Sequence, residues 1–405
     1  MNDSNIKVGK GIFGIIFFII YIFGGIFHTY LGASSDWTGL AFGMIVFVML
    51  LLFIENYNNF TKIKKNYLKI IFLFFLILII QYFISSLIFV KMNYYRFILT
   101  YISFILIFIV SALFTNVIII IKDYTLHKII IFAYKLLVCI GIFSIFLINM
   151  HMVQHKEMIL FSEPSHFALI YLPLLFYVSY FSKPLLRVFH IVVALIIALT
   201  IKDLTLLAGI MLIPILLYKN AKFIIIPLFA ALFFLANFIY FKHNYFFERL
   251  KFFSHNDYNM SMLVYIYGWQ RAYLSLFKSY GFGLGFEQLG FIIPKSFMQI
   301  TKFNGFGGGS NGAKIIAELG ITGIVIIIIY LYCFLSIYYK FVKLKIINRP
   351  HAIFFYAIFL MYSIDLFVRG TGYFNPETFM LLASVYWFNL QRNKLNDIIL
   401  PKKPA

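Results

Sequence analysis

Residues 68 to 121 show most clearly what kind of fold this chain adopts. This stretch begins with an apolar run, LKIIFLFFLILIIQYFISSLIFV (68–90), passes through the polar segment KMNYYR (91–96), and ends with a second apolar run, FILTYISFILIFIVSALFTNVIIII (97–121). A helix rises about 1.5 Å per residue, so each run is long enough to cross a hydrocarbon layer of about 30 Å. The stretch therefore predicts two consecutive transmembrane helices joined by a short turn.

The rest of the chain has the same character. Of its 405 residues, 63% are apolar, 21% aromatic and only 12% charged, which is too little charge to cover a soluble domain of this length. Unpaired backbone groups are too costly in lipid, and a β-barrel would show short alternating segments instead, so we predict an all-α, polytopic membrane bundle. The apolar runs predict about twelve transmembrane helices, at 11–31, 38–54, 68–90, 97–121, 129–150, 167–182, 186–201, 204–218, 223–241, 313–337, 352–367 and 377–391.

Lys and Arg outnumber Asp and Glu by 34 to 14, which gives a formal net charge of +20. Most of the 34 Lys and Arg residues lie in short clusters between apolar runs, which is typical of cytoplasmic anchors, so we predict no nucleic-acid partner. With a cytoplasmic N-terminus, the predicted inner segments hold twenty Lys and Arg residues and the short outer loops hold five. This bias predicts that both termini are cytoplasmic. The first apolar run is too long for a signal-peptide core, so we expect an uncleaved first helix.

The predicted spans divide the chain into three regions. Residues 1–241 hold spans one to nine, residues 242–312 form a large outer loop, and residues 313–405 hold spans ten to twelve and a cytoplasmic tail. A loop of this length is usually functional. Within it, residues 260–280 are apolar and aromatic enough to form a short amphipathic helix at the membrane interface. The glycines of GFGLGFEQLG (281–290) follow no strand, so we expect them to let the loop fold back against the bundle and not to bind a nucleotide.

Ionisable residues near membrane depth are the informative ones in so apolar a chain. Glu163 and His166 lie in FSEPSHFALIY (161–171), just before the sixth predicted span. Pro164 suits the first turn of a helix, and Glu163 could then be a simple helix cap. Alternatively, a carboxylate beside an imidazole can take up and pass on a proton. Both interpretations stay open at this point.

Several cations lie on the predicted outer side. Lys202 precedes Asp203 in a very short connection, where the two form either a salt-bridged turn or a site for an anionic ligand. Arg249 and Arg271 lie in the long loop, and Arg369 lies in the segment FVRGTGYFNPE. Each arginine could be a lipid-headgroup anchor. Alternatively, the planar guanidinium matches phosphate oxygens bidentately, and several converging arginines would suit a lipid-linked diphosphate.

The start of the tenth predicted span carries further polar residues, in FNGFGGGSNGAKIIAELGITG (303–323). Ser310 or Asn311 can cap this helix, and its N-terminus can host an anion. Glu318 falls about two turns into the helix and should face the bundle interior, because facing lipid would be costly. The sequence shows no zinc-like spacing, no Ser-His-Asp order and no DxD-like pair, so we predict no metal site and no cofactor.

Taken in order, four segments resemble a known family. They are FSEPSHFAL (161–169), YGWQRAYLSLFKSYGFGLGFEQLG (267–290), SNGAKIIAELGITG (310–323) and RGTGYFNPE (369–377). With many spans and one long outer loop, the whole chain resembles bacterial O-antigen polymerases of the Wzy type, which are relatives of the O-antigen ligases. The richness in Phe, Ile and Tyr is also typical of such polymerases.

The resemblance implies a metal-independent glycosyltransferase of the bacterial inner membrane, acting in lipopolysaccharide O-antigen synthesis. It implies that the donor and the acceptor are both glycans linked to undecaprenyl diphosphate, and that the reaction takes place on the periplasmic face. A chain-length regulator and a flippase are the protein partners that it suggests. A sugar diphosphate is already activated, so the protein needs only to bind the leaving group and to remove a proton from the acceptor hydroxyl.

The resemblance also suggests roles for individual residues. Many relatives place an arginine four residues before the loop tryptophan, but here Tyr265 stands there, so Arg271 or Arg249 has to replace it. We therefore assign catalytic roles to Glu163, His166, Arg271 and Arg249, and substrate binding to Lys202, Arg369, Asn311, Glu318 and Tyr373.

Other functions predict different sequence features. O-antigen ligases carry a His-Asn pair where this chain has Ser310 and Asn311, and their histidine is the proposed base; the difference argues against a ligase and favours Glu163 or His166 as the base. A lipid-linked oligosaccharide flippase should carry charge along its spans and no long outer loop. A solute transporter or channel should carry more intramembrane charge than this chain does.

Overall fold

The computed structural model describes residues 14, 20–21, 36–52, 62–150, 158, 160–161, 163–217, 260–291, 308–344 and 349–399. The α-helices in these residues are α1 Asp36–Leu52, α2 Lys65–Ile88, α3 Tyr94–Ile120, α4 Asp123–Asn149, α5 Pro164–Phe181, α6 Pro184–Ile201, α7 Leu204–Leu217, α8 Met260–Lys278, α9 Asn311–Leu344, α10 Pro350–Phe367 and α11 Pro376–Ile399. One short 3-10 helix, Leu289–Phe291, follows α8.

A helix lies at each predicted span that the structure describes, although its ends differ from the predicted ones by up to eight residues. Seven of the described helices are long and apolar enough to cross a membrane, and α7 and most of α1 form shorter apolar helices. The predicted spans 11–31 and 223–241 lie outside the described residues, apart from residues 14, 20 and 21. The all-α class is therefore confirmed and the apolar helices support a membrane protein, while the count of twelve spans stays a prediction.

Helices α5 and α10 form the centre of the bundle. They pack against each other, and α10 also contacts α4, α7, α9 and α11. In their most apolar windows 72% of α5 and 78% of α10 is buried, against 28–44% for the other candidate spans. The outer helices expose large apolar side chains, among them Phe72, Phe83 and Leu185. Because a water-soluble protein rarely exposes so much apolar surface, the outer surface of these helices is suited to contact with lipid.

Helix α9 is interrupted near its start. Gly320 has φ 59° and ψ −133°, so the helix is broken into a short first segment and a long second one. The break deprives the preceding carbonyl groups of their helical partners. Backbone N–H groups of the glycine-rich loop replace these partners: Leu284 N donates to Ala317 O at 3.0 Å, and Gly285 N donates to Glu318 O at 2.9 Å. The loop therefore does fold back against the bundle, as predicted.

The same loop is held from its other side by α2. Gln81 Nε2 donates to Phe282 O at 2.6 Å and to Glu318 O at 3.0 Å, and Ser85 Oγ donates to Gly283 O at 3.1 Å. Gly283 has φ +81°, and a Cβ atom there would lie 2.5 Å from Glu318 O, so only glycine fits this position. These contacts fix the loop, and with it the side chain of Glu287, against the broken part of α9.

Helix α8 confirms the helix predicted within the long loop. It packs on α9 with a face of small and polar residues that includes Arg271, Ala272 and Ser275. Its opposite face exposes aromatic side chains, with Tyr273 67% and Phe277 77% exposed. Aromatic side chains are favoured where membrane meets water, so this face is suited to the membrane interface that the sequence predicts.

Candidate functional site

Glu287 is the centre of a buried ion network. Its side chain is 3% exposed, and its Oε2 lies 2.8 Å from Nη2 of Arg96, at the start of α3. Its other carboxylate oxygen pairs with Nζ of Lys314, in the first turn of α9. Burial raises the pKa of Glu287, but the charges of Lys314 and Arg96 outweigh burial, so the net effect is a pKa below its usual value. Glu287 is thus an ionised, buried counter-charge to two cations.

Glu318 and Arg271 extend this network. Glu318 is fully buried, as predicted, and its Oε2 accepts a hydrogen bond from the backbone N–H of Glu287 at 3.1 Å. Arg271 is only 4% exposed; burial lowers its pKa to about 10, and the attraction of Glu318 acts in the opposite direction. Among the described residues of this network, three cations (Arg96, Lys314 and Arg271) act on the two carboxylates of Glu287 and Glu318. The network therefore carries an excess positive charge, which is suited to an anionic ligand.

The segment 369–377 forms hydrogen bonds with Asn311, the first residue of α9. Asn311 Nδ2 donates to Gly372 O at 2.9 Å, and Gly372 N donates back to Asn311 Oδ1 at 2.8 Å. Asn311 Nδ2 also donates to the buried carboxylate of Asp365, in α10. This reciprocal pair places Tyr373 beside the network, with Nζ of Lys314 4.6 Å from the centre of its ring. Three of the predicted substrate-binding residues, Asn311, Glu318 and Tyr373, are thereby brought together.

Ser310, the residue before α9, caps the helix as the sequence predicts. Its Oγ accepts a hydrogen bond from Ala313 N at 3.3 Å.

Glu163 pairs with Arg369 at the edge of this arrangement. Glu163 Oε2 lies 2.8 Å from Nη2 of Arg369 and also accepts a hydrogen bond from Ser165 Oγ at 3.2 Å. Helix α5 begins at Pro164 as predicted, but within the described residues the Glu163 side chain makes no capping hydrogen bond, so the simple-cap interpretation is wrong. Burial raises the pKa of Glu163, but the charges of Arg369 and His166 and the hydrogen bonds from Arg369 and Ser165 together lower it below its usual value.

Lys202 and Asp203 lie in the connection between two helices, α6 and α7. Lys202 ends α6 in the left-handed conformation, with φ 62°. The next residue, Asp203, caps α7, because its Oδ1 accepts hydrogen bonds from Thr205 N at 2.9 Å and from Leu206 N at 3.3 Å. This connection is therefore a well-formed turn between two helices. The predicted salt bridge and the predicted anion site both stay predictions. Arg249 lies outside the described residues.

Sequence reasoning missed Arg96, Glu287 and Lys314 as site residues. One signal was available for Lys314: it stands four residues before Glu318, so both side chains share one face of an otherwise apolar helix. No such signal exists for the pair of Arg96 and Glu287, which are 191 residues apart in the chain.

The chain was compared with known protein families, with curated proteins and with solved structures. No family model, no curated protein and no solved structure matches it. The chain's own motifs and the geometry that joins them are therefore the evidence on its function.

Proposed function

We propose that this protein is an O-antigen polymerase, a glycosyltransferase that joins lipid-linked repeat units at the periplasmic face of the bacterial inner membrane. The single observation that carries the proposal is that the four segments of the family resemblance, far apart in sequence, converge on one site. Contacts between side chains and backbone join them pairwise: Glu163 with Arg369, Asn311 with Gly372, and Glu287 with Lys314.

The charges of the site support a role in diphosphate binding. In the proposed reaction an acceptor hydroxyl oxygen attacks the anomeric carbon of the donor glycan, and the bond from that carbon to the diphosphate oxygen breaks. Undecaprenyl diphosphate leaves with the bonding electrons, and Arg271 and Arg369 stabilise its developing charge. Glu163 takes the proton of the hydroxyl, while His166 positions the acceptor or shares that proton. Arg96 and Lys314, held by Glu287, add positive potential to the same site.

The proposed partners follow from this reaction. The donor and acceptor are undecaprenyl-diphosphate-linked glycans, which reach the site through the lipid bilayer, and a flippase and a chain-length regulator act before and alongside the polymerase. The lysine and arginine bias supports cytoplasmic termini. An alkaline phosphatase fusion after Asn259 should therefore be active and one after Ala405 inactive; the opposite pattern would overturn both the topology and the proposed location of the site.

The decisive experiment is the lipopolysaccharide banding pattern of a deletion strain. Loss of a polymerase leaves lipid A-core carrying a single repeat unit, so one band above the core should remain where the wild type gives a ladder. Loss of a flippase or of a ligase leaves no repeat-unit band, and that pattern would contradict the proposal. Expression of the wild-type chain from a plasmid should restore the ladder.

A further inference from the structure

The pair formed by Glu163 and Arg369 differs from the rest of the site because solvent reaches it. The side chain of Glu163 is 50% exposed and that of Arg369 is 25% exposed, whereas Glu287 and Lys314 are 3% and 7% exposed. An ion pair in contact with water contributes only about 0–1 kcal/mol to stability, so its partners exchange at little cost. Arg369 can therefore leave Glu163 for a better anion without disturbing the buried network.

A lipid-linked diphosphate is such an anion. It offers several charged oxygens to a guanidinium that now donates from Nη2 to one carboxylate oxygen. Resting on the function proposed above, we propose that Arg369 is exchanged between Glu163 and the donor diphosphate, so that donor binding itself releases the Glu163 carboxylate to act as the base. The base is thereby engaged by Arg369 until a donor occupies the site.

The groups around Glu163 make the exchange productive. Burial raises the pKa of its carboxylate, while Arg369, His166 and Ser165, the groups that act on it among the described residues, all lower that pKa. When Arg369 turns to the diphosphate, burial is no longer opposed by the adjacent guanidinium, so the pKa of Glu163 rises. A carboxylate with a higher pKa is a stronger base for the acceptor hydroxyl.

Binding of farnesyl diphosphate to the purified full chain in phosphatidylcholine nanodiscs tests this exchange. In the wild type, the negative charge of Glu163 competes with the ligand for Arg369, and Glu163→Gln removes that charge. A competing pair of about 1 kcal/mol predicts roughly fivefold tighter binding to Glu163→Gln, measured by isothermal titration calorimetry. Asp123→Asn is the matched control, because Asp123 is 49% exposed and pairs with His351 at another site, and this variant should bind as the wild type does.

Two further measurements exclude a merely structural effect. In an Arg369→Gln background, the Glu163→Gln substitution should no longer tighten binding, since there is no guanidinium left to compete for. At about pH 5, near the ordinary pKa of a glutamate, binding to the wild type should take up a proton, and binding to Glu163→Gln should not. Titrations in buffers with different ionisation enthalpies measure this uptake.

The outcomes separate the two proposals. Equal affinities of the wild type and Glu163→Gln would overturn the exchange and leave the diphosphate site standing, and so would tighter binding that persists without Arg369. Failure of every variant, the wild type included, to bind farnesyl diphosphate would overturn diphosphate recognition by this site and the exchange with it.

Discussion

Glu287 and Glu163 make the same contact in two different environments. Each carboxylate lies 2.8 Å from the Nη2 atom of an arginine, Arg96 in one case and Arg369 in the other. The two arginines are similarly exposed, Arg96 at 30% and Arg369 at 25%, but the side chain of Glu287 is 3% exposed and that of Glu163 is 50% exposed. Removing one partner of a buried pair leaves an uncompensated charge in a poorly solvated place, whereas water compensates the partner of an exposed pair. Similar geometry thus produces a fixed framework at Glu287 and an exchangeable contact at Glu163.

The largest expected effect follows from breaking the buried pair. Glu287→Gln keeps the size of the side chain but leaves Arg96 and Lys314 without their shared carboxylate. We expect a loss of about 3–5 kcal/mol in the free energy of unfolding, because the buried Lys314 and the partly exposed Arg96 then lie beside a neutral amide. Thermal unfolding of the detergent-solubilised protein measures the loss, with Asp123→Asn as a matched control. A melting temperature equal to that of the control would contradict the claim that Glu287 contributes more to stability than Glu163 does.

The second prediction is that Glu163→Gln lowers activity while the protein stays stable. Glu163→Gln keeps the shape and most hydrogen bonds of the side chain but cannot accept a proton. If Glu163 is the base, the rate of polymerisation should fall by about 10²–10⁴-fold, which is typical for loss of a general base. The lipopolysaccharide ladder should collapse to a single repeat unit at a normal level of protein in the membrane. A normal ladder from Glu163→Gln would exclude Glu163 as the base and would make Glu318 and Asp365 the next candidates.

A smaller effect is expected from Arg271→Lys. Lysine keeps the charge beside Glu318 but presents a point charge in place of the planar fork. If Arg271 contacts the diphosphate, polymerisation should fall by about 100-fold, the usual loss for one donor to developing charge. The measurement is the ladder at matched expression, together with the melting temperature. Intact activity would assign Arg271 to the structural framework around Glu287.

The smallest effect is the contribution of the exposed pair to stability. Its arginine partner lowers the pKa of Glu163 below the ordinary value of 4.5, so the pair stabilises the fold above about that pH. This stabilisation is lost as the pH falls through the lower pKa of the folded state. Because the pair is exposed, we expect Glu163→Gln to change the free energy of unfolding by less than about 1 kcal/mol at pH 7. Melting temperatures of both proteins between pH 3 and pH 7 check this, and they should converge at the acid end.

Local rules predicted the parts of the site that depend on nearby residues. Pro164 starts α5, Ser310 caps α9, and Glu318 faces inward, because each follows from helix geometry within a few residues. The simple-cap interpretation of Glu163 was wrong because the partner of its side chain is distant in sequence. Its carboxylate is directed by Arg369, which is 206 residues away in the chain and cannot be seen by a local rule.

The break in α9 was not predicted either. Gly320 lies in a run of apolar residues that favours a continuous helix, and a break is stable only where other donors reach the released carbonyl groups. Those donors come from Leu284 and Gly285, and the loop that carries them is positioned by Gln81 and Ser85 of α2. Three segments must meet before the break is possible.

From consecutive residues alone one can predict the all-α class, the positions of the described apolar helices and the helix within the long loop. These features depend on hydrophobic length and periodicity, which are properties of consecutive residues. The folded structure was needed to show that Glu287 pairs with Arg96 and Lys314 and is buried. It was also needed to show that Asn311 forms hydrogen bonds with Gly372. Charge pairing depends on distance in space and on access of water. In this chain the partners of each pair come from different helices and loops.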